Sequence, residues 1–255
     1  MRRLVAMAQG FLAARFDPAD KMGLPVTLGF GFLVVLAAGF GAVTEDVVTG
    51  DELVGLDDPI SRFLLEHRQP WLTAVMGVVT YLGTAYVLIP LLAAAGLLAR
   101  RRGGSWRPLG FLALTTTGAS LTNTAIKLLV ARKRPESGAL VDALGYAFPS
   151  GHSAAAAAGW LSAALVLSCL TRSVALRVSL PAVAALVVVL VGVSRVYLGV
   201  HEPTDVLGGW ALGSLWLTGT LIANHLIANR RSNNGDKDDA QGRSRSPAQQ
   251  QELPE

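Results

Sequence analysis

Long runs without one Asp, Glu, Lys or Arg constrain this chain more than any other feature. They cover residues 22–44, 69–99, 108–126, 153–171 and 206–229, and 177–194 is broken only by its leading Arg177. A bilayer-spanning helix needs about 20 predominantly apolar residues, and these runs supply that length repeatedly. The sequence is 51% hydrophobic and 16% charged, where soluble domains average about 25% charged. The expected fold is therefore all-α, a polytopic membrane helical bundle.

The first run follows "MRR" and invites comparison with a signal peptide. Its apolar core is longer than the usual ~7–15 residues and starts well into the chain, so it is read as a retained helix. The run 69–99 is too long for one straight span and is interrupted by "YLGTAY". Its first part follows Asp57, Asp58, Arg62, Glu66 and Arg68, which predicts an interfacial helix at about 57–80 with one apolar face on the membrane surface. A span at about 83–100 follows. Spans at 108–126, 153–171, 177–194 and 206–229 complete six transmembrane helices, with Arg177 able to snorkel at the end of the fifth.

Basic residues orient the bundle. Arg2, Arg3, Arg15 and Lys21 precede span one, Arg100, Arg101, Arg102 and Arg107 lie between spans two and three, Arg172 and Arg177 between four and five, and Arg230 and Arg231 after six. With six spans all four places are cytoplasmic, and the acidic loop after span one (Glu45, Asp46, Asp51, Glu52, Asp57, Asp58) is external. The expected organisation is a cytoplasmic segment 1–21, a membrane domain 22–229 and a disordered cytoplasmic tail 230–255, too polar to fold. One external loop breaks the charge rule: Arg132, Lys133 and Arg134, with Lys127 before them, need another reason to be there. The lone cysteine, Cys169, excludes an internal disulfide framework, and no Cys/His spacing resembles a zinc site. A net charge of +4 without aromatic-basic interleaving argues against nucleic acid as a partner.

Three polar clusters fall at external span ends. "KLLVARKRP" (Lys127 to Pro135) leaves span three, "PSGH" (Pro149 to His152) enters span four, and "SRVYLGVHEPTD" (Ser194 to Asp205) joins spans five and six. Lys127 and Arg134 are seven residues apart, so two helical turns would put them on one face. Pro135 marks the exit from that helix. Singly each cluster has a plain explanation: snorkelling cations, an N-cap turn, an interface histidine, or an Asp complementing a helix dipole. His67 and His225 keep that plain explanation. Jointly, cations and free helix N–H groups suit a phosphate. Two histidines suit a nucleophile and a general acid, and an Asp can fix a histidine's tautomer.

These residues resemble the type 2 phosphatidic acid phosphatase superfamily, integral membrane lipid phosphatases. The family pattern is a lysine, six residues and Arg-Pro, then Pro-Ser-Gly-His, then Ser-Arg, five residues, His, three residues and Asp. Lys127, Arg134, Pro135, Pro149, Ser150, Gly151, His152, Ser194, Arg195, His201 and Asp205 match it at that spacing. The resemblance implies that His201 attacks phosphorus to form a phosphohistidine, with Asp205 bonded to its other ring nitrogen and His152 protonating the leaving oxygen. It also implies that Lys127, Arg134, Arg195, the Ser150 hydroxyl and the Gly151 N–H hold the phosphate, three cations standing where other enzymes use Mg²⁺. No cofactor or metal is expected, since the sequence offers no carboxylate cluster of the kind Mg²⁺ prefers. The implied partners are membrane lipids and a lipid substrate, either a phospholipid (phosphatidic acid, phosphatidylglycerophosphate) or a polyprenyl diphosphate. The implied location is the cell membrane, with the site on the extracytoplasmic side. Glu202, beside the nucleophile, stands where relatives often carry an apolar or aromatic residue. A lipid phosphotransferase and a non-enzymatic headgroup binder or transporter are the alternatives, while six spans argue against a soluble vanadate haloperoxidase.

Overall fold

A computed structural model describes the backbone of residues 23–135 and 138–244, and side chains as far as residue 228. The expected segment 1–21, with its four basic residues, and the last residues of the tail lie outside the described residues. Among the described residues every regular element is helical. The chain divides into a larger unit, Gly31–Thr220, and a smaller one joining residues up to Phe30 with those from Leu221 onward.

The long helices are α1 (Gly23–Thr49), α4 (Ala85–Gly103), α5 (Arg107–Val130), α6 (Gly151–Cys169), α7 (Val174–Tyr197) and α8 (Pro203–Ser244), with the short α2 (Asp57–Glu66) and α3 (Pro70–Val79) between α1 and α4. Helix α8 runs past residue 229, where the composition predicts order to end. The expected interfacial helix at 57–80 is two helices. Gln69 is extended (φ −123°, ψ 140°) ahead of Pro70, because a residue before proline avoids the α region. Helix α3, a 3-10 turn at Thr80–Gly83, and α4 form a pair bent by 50°. Helix α4 ends on Gly104 in the left-handed region (φ 69°) with Arg100, Arg101 and Arg102 in its last turn, where glycine adopts the conformation freely and cations complement the dipole.

Among the described residues, four helices can cross a membrane by length and composition: Leu24–Thr49, α6, α7 and Pro203–Ala228. The bent pair makes a fifth if counted as one broken span. Six spans were expected. Helix α5 falls outside this set because Thr115, Thr116, Thr117, Thr122, Asn123 and Thr124 dilute its apolar run.

Helix α6 packs against α4, α5 and α7. Its Ala154, Ala156, Ala157, Ala158, Ala163 and Ala164 are all buried, so the alanine run is a close-packing surface. Helix α8 approaches as closely: a Cβ on Gly209 would sit 2.6 Å from the Ser150 carbonyl oxygen and one on Gly213 2.5 Å from that of Ala154. Small residues let backbones meet where lipid gives helices no hydrophobic reason to associate. Half-buried indoles find partners, Trp160 Nε1 donating to the Leu82 carbonyl (2.8 Å) and Trp210 Nε1 to that of Val188 (3.1 Å). Large apolar side chains point outward instead, Leu129 being 83% and Ile89 67% exposed. That inversion of a soluble protein fits a lipid-facing exterior.

Candidate active site

The site lies in the larger unit, where three chain segments meet. Helix α5 stops at Val130, and Ala131 takes a left-handed conformation (φ 50°). Arg134 is therefore not on the helix with Lys127, contrary to the two-turn reading, and the two cations converge by another route. Lys127, in the last helical turn, donates from Nζ to the carbonyls of Tyr146 and Ala147, the latter at 3.2 Å. Arg134 comes from the following loop and donates to the carbonyls of Gly145 and Leu144 (2.9 Å each) and Val200 (2.7 Å).

Ser150 is the N-cap residue of α6, extended at φ −65°, ψ 115°, with no side-chain cap bond to the helix. The first N–H groups of a helix have no intrahelical partner. The Ser150 N–H donates to the Asp205 carbonyl (2.9 Å), and its hydroxyl accepts from Ser153 (3.0 Å). Asn123 holds the turn by donating to the Pro149 carbonyl (3.2 Å). His152, partly exposed in the first turn, lies near the charges of Arg195, Arg134 and Lys127 and near the His201 ring.

The third segment links α7 to α8. Arg195, 4% exposed, donates from Nη1 to Thr80 Oγ1 (2.6 Å), and its buried Nε has no partner. His201, 2% exposed, lies just before Pro203 opens α8, with Asp205 in the first turn as expected. His201 Nδ1 is 3.2 Å from Asp205 Oδ2, and Arg134 Nη1 is 3.2 Å from His201 Nε2. A guanidinium only donates, so Nε2 accepts and the ring proton sits on Nδ1, directed at Asp205. Burial pushes the His201 imidazole down to about 4, against the raising effect of Asp205, leaving it neutral with its lone pair on Nε2.

All eight expected residues thus come together, and the structure adds others. Arg132 bonds Asp205 Oδ1 (2.7 Å), Asp57 Oδ2 (2.8 Å) and the Thr204 hydroxyl (2.7 Å). Asp57, 3% exposed, opens α2. The Ser61 hydroxyl donates to Glu202, whose carboxyl burial raises. Arg132 carried a signal in the sequence, as a cation in the loop that violates the charge rule. Asp57, Thr80, Asn123 and Thr204 carried none. His67 bonds the Phe63 carbonyl on its own helix, and His225 lies in the smaller unit. No three His, Cys, Asp or Glu among the described residues are placed to hold a metal.

The family model described as "PAP2 superfamily" matches residues 108–227. Phosphatidylglycerophosphatase B of Bacillus subtilis (strain 168) is 36% identical over 195 residues, 75% of this chain and 90% of that protein. An undecaprenyl-diphosphatase of Sulfolobus acidocaldarius is 28% identical over 183 residues, 68% and 80% of the two. The crystal structure of a transmembrane PAP2 type phosphatidylglycerolphosphate phosphatase from Bacillus subtilis superposes with a TM-score of 0.72 at 33% identity, covering 76% of this chain and 96% of that one. Aquifex aeolicus LpxE gives a TM-score of 0.54 at 27% identity, covering 65% and 94%.

Proposed function

Because the chain belongs to the PAP2 superfamily, we propose that this membrane lipid phosphate phosphatase works through a phosphohistidine on His201, without a metal ion. The observation that carries the reading is the state of His201: neutral, buried, proton held toward Asp205 and Nε2 lone pair facing Arg134. In the first step Nε2 bonds to phosphorus as the phosphorus–oxygen bond to the lipid breaks, and His152 gives the leaving oxygen a proton. In the second, water attacks phosphorus, the nitrogen–phosphorus bond breaks, and His152 takes the water's proton. Lys127, Arg134 and Arg195, with the Ser150 hydroxyl and Gly151 N–H, hold the phosphoryl oxygens. Phosphoryl transfer is largely positioning and charge stabilisation, and cations at a free helix N-terminus supply both.

The substrate class is a lipid phosphate or diphosphate, with phosphatidylglycerophosphate first because the relative at 36% identity is named for it. Phosphate release from phosphatidylglycerophosphate, phosphatidic acid and a polyprenyl diphosphate, measured on purified protein with and without EDTA, tests this. Release from at least one lipid is expected to survive EDTA. Abolition that Mg²⁺ restores would sink the metal-free mechanism, and no release from any lipid would favour a headgroup binder.

The basic-residue asymmetry supports a site at the extracytoplasmic face of six spans. A cysteine at Ala139, in a Cys169→Ser background since Cys169 is exposed, should react with an impermeant maleimide on intact cells. Labelling only after permeabilisation would reverse the orientation.

A further inference from the structure

Arg132 and Arg134 enter the site from one irregular stretch after α5, with Lys133 between them exposed. Both arginines are half-buried, yet they reach opposite ends of one pair. Arg134 meets His201 Nε2, where the phosphorus must bind, while Arg132 meets Asp205 Oδ1, on the far side of the imidazole. Arg132 does not face the phosphate. Its Nη1 serves Asp205 Oδ1 and Thr204 Oγ1 (2.7 Å each), and its Nη2 serves Asp57 Oδ2 (2.8 Å).

Asp57 closes the arrangement. Its Oδ1 accepts from the Thr204 N–H (2.9 Å) and its Oδ2 from the Thr204 hydroxyl, so Thr204 accepts from Arg132 and donates to Asp57. The Asp205 carboxylate has no exposed side-chain surface, Asp57 4% and Arg132 17%. Two buried carboxylates therefore share one guanidinium, and each has further donors: Asp205 Oδ2 takes His201 Nδ1 and the Glu202 N–H (3.0 Å). A buried charge without a partner is costly, so this network leaves the Asp205 carboxylate one orientation. The partners come from different segments: α2, the loop after α5, and the start of α8.

We propose that Arg132 and Asp57 are positioning residues of the reaction: the guanidinium, held by Asp57, fixes the Asp205 carboxylate and through it the His201 imidazole. The inference rests on the phosphohistidine reading above. It makes the docking of α2, the first helix of the expected surface segment, a condition for full catalytic rate. The role differs from that of Lys127, Arg134 and Arg195. Loss of Arg132 leaves the phosphate cradle complete and weakens only the aim of the nucleophile.

Steady-state phosphate release by Arg132→Ala, Arg132→Lys, Asp57→Asn and the Asp57→Asn/Arg132→Ala double variant tests this, with inhibition by inorganic phosphate as the measure of an intact cradle. Groups that orient metal-ligating histidines cost ~10–100-fold when removed. On that scale Arg132→Ala should lower kcat about 100-fold and Asp57→Asn about tenfold. KM and the phosphate inhibition constant should both stay within about threefold, since uniform binding is untouched. The double variant should be no slower than Arg132→Ala, because the two residues act as one unit. Arg132→Lys keeps a cation but cannot bridge both carboxylates, so its kcat should fall between wild type and Arg132→Ala. An unchanged kcat in Arg132→Ala, a loss residing in KM or phosphate inhibition, or additive losses in the double variant would each overturn the proposal. If Arg132→Ala cannot be purified, Arg132→Lys decides: reduced kcat with unaltered phosphate inhibition supports the role, and wild-type kcat overturns it. Failure of the underlying mechanism is separately visible, as a His201→Ala protein that still turns over.

Discussion

Phosphate release from the lipid substrate falls by at least about ten-thousandfold in His201→Ala, the scale on which removal of a covalent nucleophile is felt. The Nδ1 proton of His201 faces Asp205, and the Nε2 lone pair faces Arg134. Burial sets the protonation: the group is held at about 4, below the ordinary ~6.5 of histidine. A protonated imidazole has no lone pair for phosphorus, so attack is available above that value and lost as the pH falls through it. The acid limb of kcat/KM should accordingly lie below the range of an ordinary histidine. Asp205→Asn should approach the same loss, about a thousandfold or more, by disturbing the tautomer. An Asn amide N–H₂ turned toward Nδ1 would drive the ring proton onto Nε2, where the bond to phosphorus must form. Trapping with radiolabelled substrate should give an acid-labile, base-stable phosphoprotein from wild type and none from His201→Ala. A His201→Ala protein keeping a tenth of the wild-type rate would end the phosphohistidine reading.

His152→Ala should lose about 10²–10⁴-fold on a lipid phosphate, the usual worth of a general acid or base. The loss should depend on the leaving group. An alkoxide is a poor leaving group and needs the His152 proton, whereas a nitrophenolate departs without it. On an aryl phosphate the variant should release close to one nitrophenol per protein in a burst, then turn over slowly, because hydrolysis of the phosphoenzyme still lacks its base. The position of His152 gives this prediction its basis. It stands in the first turn of α6 among Arg195, His201, Arg134 and Lys127. Equal losses on both substrates, with no burst, would remove His152 from the proton transfer.

The membrane class, the helical runs and the eight candidate site residues were legible because each is encoded over short spans. A run of about 20 uncharged residues can be read by counting, and Pro149 to His152 is four consecutive positions. Element boundaries were less legible. The interfacial segment divides at Gln69 because of Pro70, a local rule that the apolar pattern around it hides. The route by which Lys127 and Arg134 meet was misread, since nothing at Ala131 announces a helix ending in the left-handed region.

By itself the sequence determined that this chain is an all-helical membrane protein and which histidines, cations and acid to propose for a phosphate site. Periodicity and spacing act between neighbours, and those features lie between neighbours. Only the tertiary structure decided which nitrogen of His201 carries the proton, since that depends on Arg134 and Asp205 arriving from different segments. It alone joined Arg132 to Asp57, 75 positions apart, and to Asp205, 73 positions apart. Buried charges must find partners wherever the fold places them, and no local pattern records where that is.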